Sequence, residues 1–285
     1  MRSDNNVRSG DSRYGRTRRK ARNRANQARN AEGAGGHKAS TVDEDLPIPE
    51  QAVLAVLYAP GQRPSIDAVR LAGEASGAFA VTFDPGDGAE WAETLVTGLT
   101  FDLAGLTPGP EEAAPAIAHR FGLAADWSGQ GLEAVLVRPG AHLAGAAAML
   151  PVVRGCVALG AALATHTGAA AIVWIPARTA MAPDYFAATI GDWLGGGAFP
   201  ALGLTALVPA VSGIASEGLA FFTGQELEVS GSDLPRAGRI AVRMVHTLVS
   251  HGRLAAPTQL AGPEGEPLLA EPSGDGSRVR VTLQQ

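Results

Sequence analysis

The charge of this chain changes sign near residue 40, and the two sides cannot share one fold. Residues 1–40 carry eleven Lys or Arg against three Asp or Glu, a net +8, whereas residues 41–285 carry twelve against 25, a net −13. Both lysines (Lys20, Lys38) and every asparagine (Asn5, Asn6, Asn23, Asn26, Asn30) precede the break. Residues 1–45 therefore read as a disordered basic arm. Arg13, Arg16, Arg18, Arg19, Lys20, Arg22, Arg24 and Arg29 stand among Ser, Asn and Gly, with almost no apolar surface to offset the entropy of ordering them. The rest reads as an acidic, Ala/Gly-rich globular body. Its few aromatics leave aliphatic side chains and close backbone packing to carry the core.

The arm predicts non-specific polyanion binding through Arg13, Arg16, Arg18, Arg19, Lys20, Arg22 and Arg24, because such a run displaces counterions from phosphates. Tyr14 is its only stacking group, so base readout is not expected. A solubilising tail and translated upstream DNA are the competing readings. No apolar segment follows the charged N-terminus, so no secretory signal is expected. The single Cys156 excludes an intramolecular disulfide and a thiolate zinc cage, which points to a reducing cytoplasm. Gly155–Ile175 lacks Asp, Glu, Lys and Arg. Its three glycines and the Thr165-His166-Thr167-Gly168 break predict a buried helix then a buried strand, and no membrane span.

Within the body, apolar runs and turn residues predict an element order. Gln51–Tyr58 is a strand, a helix opens at Arg63-Pro64-Ser65 and runs to Ser76, and Ala78–Asp84 is a second strand. Thr94–Leu106 is a third strand. Pro108-Gly109-Pro110-Glu111-Glu112 starts a helix ending near Gly122, and Leu132–Val137 closes the unit. A helix over Pro151–Thr165 follows. The order then repeats, with a strand over Ala170–Ile175, a helix over Pro183–Leu194, strands over Leu202–Val208 and Glu217–Val229, and a helix capped by Ser232 or Asp233 and followed by Gly252. Short strands near Gln259 and Leu268 and one over Arg278–Leu283 complete it. The expected fold is α+β: two β-α-β-β-α-β, ferredoxin-like halves (46–140 and 141–285) joined by a helix. Gly98-Leu99-Thr100-Phe101 and Gly218-Leu219-Ala220-Phe221 fall on equivalent third strands in that reading. Gly129-Gln130-Gly131-Leu132-Glu133-Ala134 matches a dinucleotide loop in letters only, since it precedes a strand, and no cofactor is expected.

The least generic segment is Gly218–Val229. Thr223-Gly224 would bend its strand, and Glu226 and Glu228 would share one face at period two. Two carboxylates so placed can divide into acid and base or hold a cation, or simply form the wet face of a strand. Arg236, Arg239 and Arg243 share a helix side at i, i+3, i+7, suited to a phosphate or carboxylate ligand or to solvent. Trp174 and Trp193 either line a pocket or fill the core. His119, His142 and His166 are isolated, and His246 and His251 lie on different helix faces, so no metal site is expected. Cys156 reads as an inert core thiol.

Gly218-Leu219-x-x-Phe222-x-Gly224-x-Glu226-x-Glu228, followed by the helix from Leu234 to His251, resembles the C-terminal signature of a bacterial family, the domain of unknown function 4261. The Ala/Gly-rich helix and strand up to Trp174 are also similar, so the likeness spans about residues 150–271. The resemblance implies a soluble bacterial protein with an accessory or interaction role, and it brings no catalytic residues with it. No nucleophile, base and orienter come together in the sequence. The leading expectation is therefore a non-catalytic binding protein with a protein or small-molecule partner, its site formed by Trp174, Gln225, Glu226, Glu228, Arg236, Arg239 and Arg243. The rival readings are an enzyme using Glu226 and Glu228, and a nucleic-acid tether through the arm.

Overall fold

The apolar run after residue 52 becomes the centre of a large sheet because both of its faces are apolar. Strand β1 (Leu54–Tyr58) is buried at every position. Leu54, Val56 and Tyr58 enter the main core, while Ala55 and Leu57 enter a smaller core on the opposite face, as period-two alternation requires. The computed structural model describes residues 52–86 and 90–284, so the basic arm lies outside the described residues. The body continues with α1 (Ile66–Ser76), β2 (Ala80–Phe83), β3 (Trp91–Val96), β4 (Leu99–Ala104), β5 (His119–Phe121) and β6 (Glu133–Pro139). Next come α2 (Leu150–Thr167), β7 (Ala171–Trp174), β8 (Thr179–Met181), α3 (Pro183–Leu194), β9 (Ala206–Ala210) and β10 (Gly213–Glu217). A single turn α4 (Ala220–Thr223), β11 (Glu226–Ser230), α5 (Leu234–His251), β12 (Thr258–Ala261), β13 (Pro267–Pro272) and β14 (Arg278–Leu283) complete it.

The architecture is α+β with two sheets. Eight strands run in the order β2-β3-β4-β6-β1-β7-β8-β5, and six in the order β12-β13-β14-β11-β10-β9. All pairs are antiparallel except β5–β8 and β11–β14. Helices α1, α2 and α3 cover one face of the large sheet and α5 covers the small one. Capping fixes the helix ends: Ser65 accepts from Ala68 N at 3.3 Å to start α1, and Asp233 accepts from Arg236 N at 3.0 Å to start α5. Helix α2 is long and apolar enough to span a membrane, yet it packs here as a core helix. Its glycines bring it close to the sheet. A Cβ at Gly155 would lie 2.9 Å from the Phe101 ring, and one at Gly160 2.8 Å from Leu54.

Several sequence expectations need correcting. The two halves do not form separate ferredoxin-like sheets, because β7 pairs with β1 and extends the same sheet past residue 140. The helix expected from Pro108-Gly109-Pro110 to Gly122 is absent. Residues 113–118 are irregular and lead into β5, with Pro115 interrupting any helix. The segment instead covers the second face of the large sheet, where Ala114, Ile117, Leu123 and Trp127 pack over Ala55, Leu57, Ala171 and Val173. The strand expected over Thr94–Leu106 is the β3–β4 hairpin, turned at Thr97 (φ 47°) and Gly98 (φ 87°). The strand expected over Glu217–Val229 is split into β10, α4 and β11. The two Gly-Leu-x-Phe segments are therefore not equivalent, since one enters a strand and the other a helical turn.

Candidate functional site

Trp174, at the end of β7, is fully buried. Phe221 meets it edge-on at 5.5 Å, and Phe222 stacks on it at 6.1 Å. Phe222 meets Phe199, which touches Trp193 and His246, so an aromatic chain runs from the large sheet to α5. Arg154 lies over the Trp193 ring at 4.9 Å and donates to the Trp193 and Leu194 carbonyls, capping α3. Burial, with Arg243 nearby, lowers the His246 pKa. Trp174 and Trp193 thus pack in the main core.

The carboxylate of Glu226 is engaged by main chain. Its Oε1 accepts from Gly218 N at 2.9 Å and Ala220 N at 3.2 Å, and its Oε2 accepts from Leu219 N at 3.2 Å and from the Ser216 hydroxyl. It closes the N-terminal end of α4, whose amides have no helical partner. Gln225, 1% exposed, donates to the Leu254 and Gly276 carbonyls at 3.1 Å and accepts from Leu254 N at 2.8 Å. Glu228 lies on the same face of β11 as Glu226, as the spacing predicts. It accepts from the Ser212 hydroxyl at 2.6 Å and faces Arg280 at 4.0 Å. Arg239 pairs with Glu264 at 3.7 Å, Arg243 is exposed, and the buried Arg236 Nε has no partner among the described residues. The partners of Gln225 and Glu226 are main chain and the Ser216 hydroxyl, so both side chains serve the architecture.

Sequence reasoning missed a second constellation beside them. Glu217, at the end of β10, meets His119 Nε2 at 2.8 Å and the Arg178 guanidinium through its other oxygen. The Arg178 carbonyl in turn accepts from Ala118 N at 2.9 Å and His119 N at 3.1 Å. The Arg178 hydrogen bond lowers the Glu217 pKa, with His119 acting in the same direction against partial burial. This triad ties the β5–β8 end of the large sheet to the small sheet. Its members lie 98 and 39 residues apart, and Arg178 adopts φ 50° without being glycine, so no local signal announces it. Among the described residues no group of three or more His, Cys, Asp or Glu is placed to hold a metal.

A pair of aromatic rings is open to solvent at the β2 end of the large sheet. Phe83 is 51% exposed, Trp91 and Leu95 each 37%, and the Phe83 and Trp91 rings meet at 5.5 Å. Glu93 on β3 lies opposite Asp102 on β4, which lies opposite Arg138 on β6. Glu93 takes a hydrogen bond from the Thr82 hydroxyl at 2.8 Å but no ion pair among the described residues. Partial burial and the facing Glu93 raise the Asp102 pKa, against Arg138 and His142. Residues 80–104 contain five acids (Asp84, Asp87, Glu90, Glu93, Asp102) and no Lys or Arg. The alternation along β3 carried this face in the sequence, but the open edge beside it depended on the sheet order.

The fold and these contacts define an α+β protein with two linked sheets and one open, acidic, aromatic corner. No family model, curated protein or solved structure matches the chain.

Proposed function

We propose that this is a non-catalytic binding protein whose working surface is the β2–β3–β4 corner. The observation that carries the reading is the contact of Phe83 with Trp91, two large exposed aromatics paired on and beside the terminal strand of a sheet. Aromatic residues so placed present rigid apolar area at little entropic cost, and contiguous exposed apolar patches mark interaction sites. The structural employment of Gln225 and Glu226 supports the same reading against acid–base catalysis. The resemblance of residues 150–271 to the domain of unknown function 4261 family fits an accessory role in a bacterial cytoplasm. Polyanion binding by the basic arm is a second proposal with its own test, deletion of residues 1–40.

The test is radical footprinting of the full chain isolated natively with whatever accompanies it. Phe83 and Trp91 are expected to be protected in the complex and oxidised in the stripped protein. Phe83→Ser with Trp91→Ser is expected to release the partner with the circular dichroism unchanged. Equal oxidation of both aromatics in the two states overturns the reading.

A further inference from the structure

We infer that the corner accepts an extended basic peptide segment, added as a strand along the edge of β2 that no described residue pairs. This rests on the corner being the binding surface and names the chemistry of its partner.

Strand β2 ends the eight-stranded order, and among the described residues its main chain pairs only with β3. Its residues are exposed at three of four positions, and Arg70 of α1 reaches Asp84 just past its end. An open row of N–H and C=O groups is a template for another strand. The register shift between Val81 and Phe83 breaks the ladder, which limits pairing to a short segment and works against indefinite sheet stacking.

Charge selects the segment. The meander from residue 80 to 104 is acidic with no basic residue of its own. Asp84 is paired with Arg70 at 3.1 Å, while among the described residues the Glu93 carboxylate meets only the Thr82 hydroxyl. A strand added beside β2 lies about 10 Å from β3, two inter-strand spacings, a gap that an extended Arg or Lys and Glu93 close together. On the way the cation passes Phe83 and Trp91, whose ring faces attract it. A second copy docking β2 against β2 would bring the same acids together, and a nucleic acid would meet them with its phosphates. Both are disfavoured by like charge.

The experiment uses the full chain and the peptide (Arg-Val)3-amide carrying fluorescein on its N-terminus through a Gly-Gly spacer, read by anisotropy. Two control peptides with the same label keep the protein unaltered: (Glu-Val)3-amide, and the Arg peptide with alternate main-chain nitrogens methylated, which removes strand pairing but not charge. The Arg peptide is expected to bind, with affinity falling about tenfold for each control and for Glu93→Lys, and falling as salt screens the acids. Glu93→Gln is expected to weaken it less, and thermal melts establish that both variants are folded. Absent binding, or binding indifferent to main-chain methylation and to Glu93→Lys, overturns the inference. A concentration-dependent dimer that protects Phe83 while the peptide fails to bind also overturns it, in favour of a second copy. Protection of Phe83 and Trp91 in the native complex without peptide binding removes this inference alone. Loss of that protection removes the binding surface itself.

Discussion

The Glu226 carboxylate receives the Gly218 amide at 2.9 Å, across a helical turn that the carboxylate itself closes. Each of its oxygens serves two donors: Gly218 N and Ala220 N on one, Leu219 N and the Ser216 hydroxyl on the other. A glutamine at 226 must turn its amino group toward one of these donor pairs whichever way it flips. Glu226→Gln is therefore expected to destabilise the fold by about 2 kcal/mol, the scale of a lost charge-assisted hydrogen bond. Urea unfolding at pH 7 measures it. A variant as stable as the parent would show that the carboxylate is spare.

Gly218 bears a second constraint. Its φ is 86°, and a Cβ there would lie 2.7–2.9 Å from the Cβ, Cα and N of Ala177. Two of those atoms are main chain next to Arg178, so no side-chain rotation relieves the contact. Gly218→Ala combines left-handed strain with overpacking, each on the order of 1–3 kcal/mol. Gly61 has a similar φ of 71° and open space around it. Gly61→Ala is expected to show the strain alone, so the difference between the two midpoints reads the closeness of the junction.

How much of this was legible in the sequence follows from which forces are local. Helices α1, α3 and α5 are nearly as read, because Ser65, Pro183, Asp233 and Gly252 are caps and stops that act within a few residues. The 108–122 segment reads as helix yet is irregular, because its apolar residues cover a sheet face that exists only after β1 and β7 pair. The Gly218–Glu226 segment reads as strand yet turns, because a side chain eight residues later satisfies its amides. The pairing of Glu226 with Glu228 on one face was legible from period two alone. That Glu226 is consumed by main chain, and that Glu217 rather than Glu228 joins a histidine and an arginine, depended on tertiary contacts.

The Glu217 triad predicts an acid-sensitive junction. Its folded pKa lies below the ordinary 4.5, through Arg178 first and His119 as well. A depressed carboxylate contributes stability that is fully present above the unfolded value and is lost as pH falls through the folded one. The stability difference between the parent and Glu217→Gln is expected to shrink as pH falls below 4.5 and the parent carboxylate takes up its proton. Urea unfolding of both proteins at stepped pH measures this. A difference that stays constant down to pH 3 would show that Glu217 is not held ionised by its partners.

Cys156 offers a probe of whether the main core opens. It lies fully buried in α2, next to Gly155, which sits against the Phe101 ring. Burial alone pushes the thiol pKa up, so the reactive thiolate is suppressed twice, by access and by ionisation. Iodoacetamide is expected to leave the native protein unlabelled and to modify it fully in denaturant. At intermediate urea the labelling rate should follow the unfolded fraction, because α2 cannot expose the thiol without leaving β1 and β4. Gly155→Ala, which drives a methyl group into Phe101, is expected to raise the labelling rate below the unfolding transition. Rapid labelling of the native parent would mean that α2 detaches locally, and that the close helix–sheet approach at Gly155 and Gly160 does not hold the core shut.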